Sequence, residues 1–518
     1  MKPIPYKEHL ILPFDNRVAV MMPHAQQFMH EGKPCLLVPH KVDETQVLRN
    51  LGYEVHPPIM SAYKWPGPEP FDAQRITASL ITTNKRSFIF NGIGTGKTRA
   101  VLYAFDFLKQ SDPSTGKLLV TAPLSTLRQT WQREITLYFP HLRVEILHHA
   151  LRHKRIEALN RDADIYIINH DGVEVILDEL MAKRKEFSMV CLDELSVYKN
   201  ANTDMWKKTN RFVAEIDRAT GLTATPMSLC AADAYGQLKM LTPQALQGKS
   251  FTRFRERVML KVTTFKWVNK RGAVDEVFKL FQPSVRFKRD ECYDMPPCQI
   301  VDQEAMLSDE QRKFFIQMQN GCAVPDHDVL AVNAADQINK LLQISLGMLY
   351  DKQHNAIHLP VANRLQLLED AIEQSDSKVI VFTPYKASLA RLVKHLSQRW
   401  SVDFVSGDVS PTRREQIFTQ FMHAPDPHVI VAHPDCMSHG LTLTEASTII
   451  WWGPPQSLET YEQANGRITR AGQRFSQLII NLMSTKLEQK IYRLLQQRAN
   501  IQQVLLEMFE RQDINDLL

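Results

Sequence analysis

Cysteine is scarce in this chain, with seven residues in 518, at positions 35, 191, 230, 292, 298, 322 and 436. The number is odd and no Cys-x-x-Cys pair occurs, which argues against a disulfide framework or a thiolate zinc site. Such usage fits a reducing cytoplasm, the expected location. No apolar run approaches the roughly 18 residues that a membrane span requires, so no membrane partner is expected. The stretch from Met1 to Leu10 lacks the uninterrupted apolar core of a secretion signal. No short-period repeat and no low-complexity tract is present. Charge of one sign is lacking too: 62 Lys and Arg stand against 57 Asp and Glu, a formal net charge of +5. So small a surplus permits a nucleic-acid partner without demanding one. Basic clusters at Arg152–Arg155, Lys183–Lys185, Lys266–Arg271 and Arg286–Arg289 each read, taken singly, as solvated surface. The apolar share of 44% is that of an ordinary globular protein. The length suggests roughly two to four domains.

The most informative stretch is Asn91-Gly-Ile-Gly-Thr-Gly-Lys-Thr98. It follows an apolar strand, Ser87–Phe90, and opens a helical pattern, Arg99–Leu108. Gly92, Gly94, Thr95 and Gly96 form a turn whose backbone N–H groups can point inward at an anion, and the helix N-terminus adds its dipole. Lys97 would reach the β- and γ-phosphates of a nucleotide, and the Thr98 hydroxyl would hold Mg²⁺. The strict pattern has Gly where this chain has Asn91.

Residues 1–64 read as a small α/β piece. Strands at His9–Phe14, Cys35–Val38 and Tyr53–His56 alternate with helical patterns, the second near Glu44–Leu51. A Pro-rich hinge follows at Trp65–Pro70. Short apolar strands then alternate with longer helical patterns, the signature of parallel sheets covered on both faces. The first series is Phe88–Phe90, Leu118–Thr121, Ile165–Ile168, Met189–Leu192 and Ala219–Leu222. The second is Val379–Phe382, Val402–Val405, Val429–Ala432, Thr448–Trp451 and Leu478–Asn481. The expected divisions are an accessory domain over 1–64, an ATP-binding lobe over 65–245, a helical, irregular region over 246–365 and a second lobe over 366–518.

The strand Met189–Leu192 ends in Asp193-Glu194, where a nucleotide hydrolase needs two carboxylates. Asp193 would hold Mg²⁺ and Glu194 would orient or deprotonate the attacking water. Acidic pairs also close ordinary surface turns, and it is the phosphate loop upstream that favours the catalytic reading. Leu222-Thr-Ala-Thr-Pro226 carries hydroxyls at a strand end. Gln74 could read an adenine edge with both halves of its amide. Far downstream, Gln463-Ala-Asn-Gly-Arg467-Ile-Thr-Arg470-Ala-Gly-Gln473 is expected to place Arg467 and Arg470 on one helix face. Guanidinium forks there suit the charge on a transferring phosphoryl group. Trp451-Trp452 reads as packing. Ile491, Leu494, Leu495, Ile501, Leu505 and Phe509 mark an amphipathic helix. It would brace one lobe against the other or, in a second reading, dock a protein.

In this order, Gln74, NGIGTGKT, LLVTAPLSTLRQTW, DELSVYKN, LTATP, KVIVFTPY, HGLTL and QANGRITRAGQ resemble the motifs of superfamily two helicase-like ATPases. More narrowly, the chain resembles the Swi/Snf family of DNA translocases. DELSVYKN looks like that family's DEAH box with its trailing Lys-Asn. Phe287–Glu291 before Met295-Pro-Pro297 is similar to the segment joining its lobes. The likeness runs from about residue 69 to 500. It implies an α/β fold of two tandem RecA-like lobes behind a small N-terminal α/β domain, and ATP and Mg²⁺ as cofactors, with Gln74 and Gln463 at the nucleotide. Two departures stand out: Leu195 and Ser196 replace the box's last two residues, and Thr469 replaces a usual His.

The same resemblance implies DNA contacts by Pro123, Ser125, Thr126, Asn169 and His170 in the first lobe. In the second lobe it implies contacts by Thr383, Tyr385, His439, Gly440 and Thr442. Such contacts grip phosphates, so binding should be sequence-tolerant and salt-sensitive. The expected activity is ATP-driven translocation on duplex or branched DNA by a monomer, serving branch migration, fork remodelling or protein displacement. A strand-separating RNA or DNA helicase is a second reading. A third is a motor subunit that docks RNA polymerase or a restriction complex through residues 1–64 or the terminal helix. The compact core, without long insertions between lobes, fits a bacterium or one of its viruses better than a nuclear remodeller.

Overall fold

A computed structural model of the chain describes residues 3–6, 9–227, 230–263, 267–288, 291–292, 297–324, 329–437, 443–469 and 473–497. It forms two compact units, Met1–Tyr293 and Asp294–Leu518. No described helix is long and apolar enough to cross a membrane.

The first unit opens with a four-stranded antiparallel sheet of Ile4–Tyr6, His9–Pro13, Lys33–Pro39 and Gln26–His30, in that spatial order. The last two strands form a hairpin turned at Glu31 and Gly32, both at positive φ (48° and 73°), as a tight two-residue turn demands. The Gln26–His30 stretch had read as part of a helical pattern, because its exposed or half-buried residues show neither an apolar run nor a clean alternation. The strand expected at Tyr53–His56 is absent. The Val55 carbonyl there accepts both Nε (3.1 Å) and Nη2 (2.8 Å) of Arg49, so a helix side chain satisfies the backbone that a neighbouring strand would have paired.

Beyond the hinge, seven strands form one wholly parallel sheet. Their order is Ser284–Val285, Arg86–Ile89, Arg218–Leu222, Phe187–Asp193, Lys117–Ala122, Ile165–Asn169 and Val144–Ile146. Both faces are covered, so the strands read as unbroken apolar runs. One face packs Phe88, Phe90, Val190 and Leu192 and the other packs Ile89, Val120, Ile167 and Cys191. The five strands expected from the sequence all form, each within two residues of its expected ends.

The second unit carries six parallel strands in the order Cys298–Glu304, Gln477–Met483, Ala446–Trp451, Lys378–Phe382, Val429–Ala432 and Val402–Val405. Trp451 and Trp452 are buried, and Trp451 packs against Phe382 (4.8 Å between centroids) and Tyr461 (5.1 Å). Two strands of these parallel sheets lie within the stretch expected to be helical, beside three short antiparallel hairpins. Ser284–Val285 is only two residues long, and Cys298–Glu304 is an exposed edge carrying Gln, Asp and Glu. Neither presents the apolar run that marks a buried parallel strand. The terminal helix is described over Lys486–Gln496 and buries Leu487, Ile491, Tyr492 and Leu495 in the second unit's own core. Ile501, Leu505 and Phe509 lie outside the described residues.

Arg364 and Glu488 form an ion pair inside this unit, 1% and 0% exposed, with Nη2 2.7 Å from Oε1. Nη1 and Nη2 also donate to the carbonyls of Ser345, Trp452 and Leu482 and to Ser484 Oγ, while the buried Nε–H has no partner among the described residues. The carboxylate also accepts from Ser484 N–H at 2.7 Å. One pair thus ties two helices to the ends of two central strands. Removing one partner leaves an uncompensated buried charge. Arg364→Met should therefore cost about 3–5 kcal/mol in denaturant unfolding followed by tryptophan fluorescence, and adding Glu488→Leu should restore most of it.

Candidate ATP site and nucleic-acid edge

Strand register sets the level at which the site residues leave the first sheet. Leu222 pairs with Ile89 on one side and with Asp193 on the other. Thr121 pairs with Leu192, and Ala122 with Asn169. Asn91, Thr223, Asp193, Pro123 and His170 therefore emerge along one carboxyl edge. The phosphate loop and the acidic pair are two strand spacings apart, about 10 Å.

The helix Lys97–Ser111 starts from Gly96, whose φ of 76° is left-handed; Gly94 has φ 83°. A Cβ on Gly96 would also collide with the Gln74 amide, so glycine is required there twice over. Gln74 is buried, with Oε1 accepting from Phe71 N–H (3.0 Å) and Nε2 donating to Gly96 O (3.3 Å). Here one half of the amide caps its own helix and the other braces the loop. Lys97 Nζ donates to the carbonyls of Asn91 (2.7 Å) and Gly92 (3.0 Å), which holds its ammonium over the turn. Thr95 Oγ1 donates to Gly92 O at 2.8 Å. Thr98 sits half-buried in the helix's first turn, beside the lysine.

Asn91, the departure from the strict pattern, is a buried strut. Its Nδ2 donates to Thr77 Oγ1 (2.8 Å), and its Oδ1 accepts from Phe287 N–H (3.0 Å). Gly92 N–H donates to Phe287 O at 2.8 Å. The helix bearing Gln74, the phosphate loop and the segment after Val285 are thereby joined.

The acidic pair is held from three sides. Asp193 Oδ2 accepts from Trp131 Nε1 at 2.9 Å, and Oδ1 from Glu194 N–H at 3.1 Å. Burial pushes the Asp193 carboxyl above its usual range, while the Trp131 N–H and the nearby Lys97 ammonium pull the other way. Glu194 takes φ 57°, ψ 56°, a left-handed conformation that costs a non-glycine residue on the order of 1 kcal/mol and is typical of functional sites. Glu194 Oε1 accepts from Ser196 Oγ (3.0 Å) and Thr223 Oγ1 (3.2 Å). Ser196 thus contacts the carboxylate itself, and the link to the LTATP segment runs directly through Thr223.

Farther along the edge, Ser125 is exposed and Pro123 half-buried, while Thr126 is buried with its hydroxyl donating to Pro123 O at 2.9 Å. Asn169 Oδ1 accepts from Arg155 Nη1 at 3.3 Å. His170 is buried, and its Nε2 lies 2.7 Å from Asp193 O. A carbonyl can only accept, so that nitrogen carries the proton. Burial lowers the ring's pKa and keeps it neutral. His170 therefore faces the acidic strand end and not the open edge.

In the second unit the helix Leu458–Asn465 ends before Arg467, which corrects the expectation that this arginine lies on a helix face. Gly466 caps it, Arg467 N–H donates to Ala464 O (3.1 Å), and Thr469 Oγ1 returns to Asn465 O (2.9 Å). Arg467 is 1% exposed, with Nε donating to Gln463 O at 2.9 Å; Gln463 Nε2 donates to Glu459 at 3.0 Å. Thr383 is fully buried, and Tyr385 Oη donates to Asn339 Oδ1 at 2.6 Å. Arg470, His439, Gly440 and Thr442 lie outside the described residues.

Comparison with known families decides the relationship. The SNF2-related domain matches residues 24–358, and the helicase conserved C-terminal domain matches residues 363–472. The chain belongs to the SNF2-related family. It is a nucleic-acid-dependent ATP hydrolase of the Swi/Snf type. Protein p41 of Acyrthosiphon pisum secondary endosymbiont phage 1 is 26% identical over 424 residues, spanning 77% of this chain and 88% of the phage protein. TATA-binding protein-associated factor mot1 of Schizosaccharomyces pombe is 25% identical over 74% of this chain, which spans only 23% of that protein. Among solved structures, the Sulfolobus solfataricus SWI2/SNF2 ATPase core in complex with dsDNA aligns over 87% of this chain and 94% of its own, at 20% identity and TM-score 0.40.

Sequence reading of this SNF2-related chain passed over Trp131 and Thr77 as working parts of the site, and marked Ser196 only as a hydroxyl in place of a usual His. It gave Thr223 little meaning, because threonine is common in strands. Trp131 sits on a short π-helical stretch, Leu127–Gln132, so no 3.6-residue periodicity points it at Asp193.

A carboxyl raised by burial is no burden while protonated. Its penalty appears as pH rises through its folded pKa. Asp193→Asn should therefore raise the melting temperature of the nucleotide-free protein at pH 7–8 but not near pH 4, while abolishing turnover. Scanning calorimetry at the two pH values checks this.

Proposed function

We propose that this SNF2-related ATPase is a motor that tracks on duplex or branched DNA. The carrying observation is the shared carboxyl edge. Lys97 and the Asp193–Glu194 pair stand at one part of it, and Pro123, Ser125, Thr126 and Asn169 continue the same row away from the nucleotide.

In this reading Lys97 binds the β- and γ-phosphates, and Glu194, oriented by Thr223 and Ser196, aligns the attacking water. Asp193 and Thr98 offer carboxylate and hydroxyl oxygens, the hard donors Mg²⁺ takes, and the Asp193 carboxyl raised by burial suits a site completed by a cation. Once bound, the ion would neutralise phosphate charge. Arg467 and Arg470 are the cations assigned to the γ-phosphate charge. Gln74 and Gln463 position the nucleotide. Ser125, Asn169, Tyr385, His439, Gly440 and Thr442 meet DNA phosphates, while buried Thr126, His170 and Thr383 shape the loops that do so. The match to a phage protein supports a compact bacterial or viral motor.

Lys97→Ala should abolish ATP binding. Glu194→Gln should keep ATP binding but lower turnover at least about 100-fold, as loss of a general base does. ATPase rates with duplex, branched and single-stranded DNA and with RNA test the substrate class. Duplex or branched DNA should stimulate most, with little unwinding of a tailed duplex. Stimulation by RNA alone, or efficient strand separation, would favour a helicase instead.

A further inference from the structure

Basic charge is concentrated in one part of the first unit. Between Lys249 and Arg289 stand twelve Lys and Arg against three Asp and Glu, a net +9 in a chain whose total is +5, so everything else sums to −4. The stretch is a built module. Helix Phe251–Val258 leads into an antiparallel hairpin, Met259–Lys261 with Trp267–Asn269, and then helix Ala273–Leu280.

Part of its charge is spent internally. The Arg255 guanidinium lies over the Trp267 ring at 4.1 Å and over Phe251 at 5.5 Å. Arg257 pairs with Glu276 at 2.5 Å, and Lys270 Nζ caps Glu256 O at 2.6 Å. Arg253, Lys261 and Arg271 are exposed and have no acidic partner among the described residues. The scaffold is thus fixed while Arg253, Lys261 and Arg271 stand in solvent.

The module is fastened to the ATP-binding sheet. Phe281 packs on Phe88 (4.9 Å) and Phe90 (5.0 Å) of the phosphate-loop strand. Asn269 Oδ1 accepts from Ala231 N–H at 2.9 Å, tying the hairpin to the chain that leaves the Thr223 edge.

We propose that Arg253, Lys261 and Arg271 form a contact surface for the phosphate backbone of nucleic acid, apart from the motif residues at the carboxyl edge. The inference rests on the motor reading above. Unpaired cations on a rigid frame fit a regularly charged polyanion, whose counterions they release on binding. Because Phe281 seats the frame on the phosphate-loop strand, nucleic acid held there is tied mechanically to the nucleotide site.

The test measures dissociation constants for duplex DNA at several salt concentrations, comparing wild type with Arg253→Gln/Lys261→Gln/Arg271→Gln. A matched variant, Lys64→Gln/Lys185→Gln/Lys207→Gln, serves as control. The first triple should weaken binding about ten-fold or more and lower the log–log salt slope by about one for each residue removed. The control should change neither. In parallel, amine acetylation of the wild-type protein with and without duplex DNA should show Lys261 protected and Lys64 and Lys185 not. That readout does not depend on how a variant folds. Unchanged binding by the triple, or an unprotected Lys261 on a protein that binds DNA, would overturn the proposal and leave the motor reading intact. Protection of Lys261 by polyglutamate but not by DNA would assign the surface to an acidic protein and overturn it as well. No binding or ATPase stimulation of the wild-type protein by any nucleic acid would overturn the motor reading itself.

Discussion

Parallel pairing of the Arg86–Ile89, Arg218–Leu222 and Phe187–Asp193 strands is the constraint on which the rest of the first unit depends. Backbone hydrogen bonds set Leu222 level with both Ile89 and Asp193. A slip of one residue would turn every side chain to the other face and bring apolar groups into solvent. The core thus locks the register, and the register aligns the phosphate loop, the acidic pair and Thr223. Chemistry at the edge inherits its precision from packing beneath it.

On that frame, short polar links connect parts that are distant in sequence. Asn91 joins Thr77 to Phe287, and Thr223 meets Glu194. Each link is one or two hydrogen bonds at or near the buried side of the edge, where an unmade partner costs more than the bond contributes. The strained backbone of Glu194 is held in place by Trp131, Ser196 and Thr223 acting through the acidic pair. In the second unit the Arg364–Glu488 pair has an analogous place, fastening two helices to strand ends around Trp452.

Much of this was legible beforehand. Glycines at 92, 94 and 96 before Lys97, an apolar strand ending in two carboxylates, and doubly buried strands such as Val429–Ala432 all carry local signals strong enough to read. The failures share a cause. Ser284–Val285 is too short for periodicity, and Cys298–Glu304 is an exposed edge without an apolar face. Gln26–His30 becomes a strand only by pairing with Lys33–Pro39. Arg467 falls beyond its helix because Gly466 and Thr469 cap it at Asn465, a tertiary choice reinforced by Trp451 Nε1 donating to Asn465 Oδ1 at 2.9 Å.

By itself the order of residues determined the class of chemistry, because a phosphate loop, an acidic pair and arginine-bearing motifs are local arrangements whose donors and acceptors are written in adjacent positions. Only the tertiary structure decided which groups support them. It turned His170 inward to Asp193, made Asn91 a strut, and set Trp131 against the acidic carboxylate. It also set Arg253, Lys261 and Arg271 on one packed helix–hairpin–helix module. Those outcomes depend on contacts between residues tens to hundreds of positions apart, set by burial and register, and no local pattern encodes them.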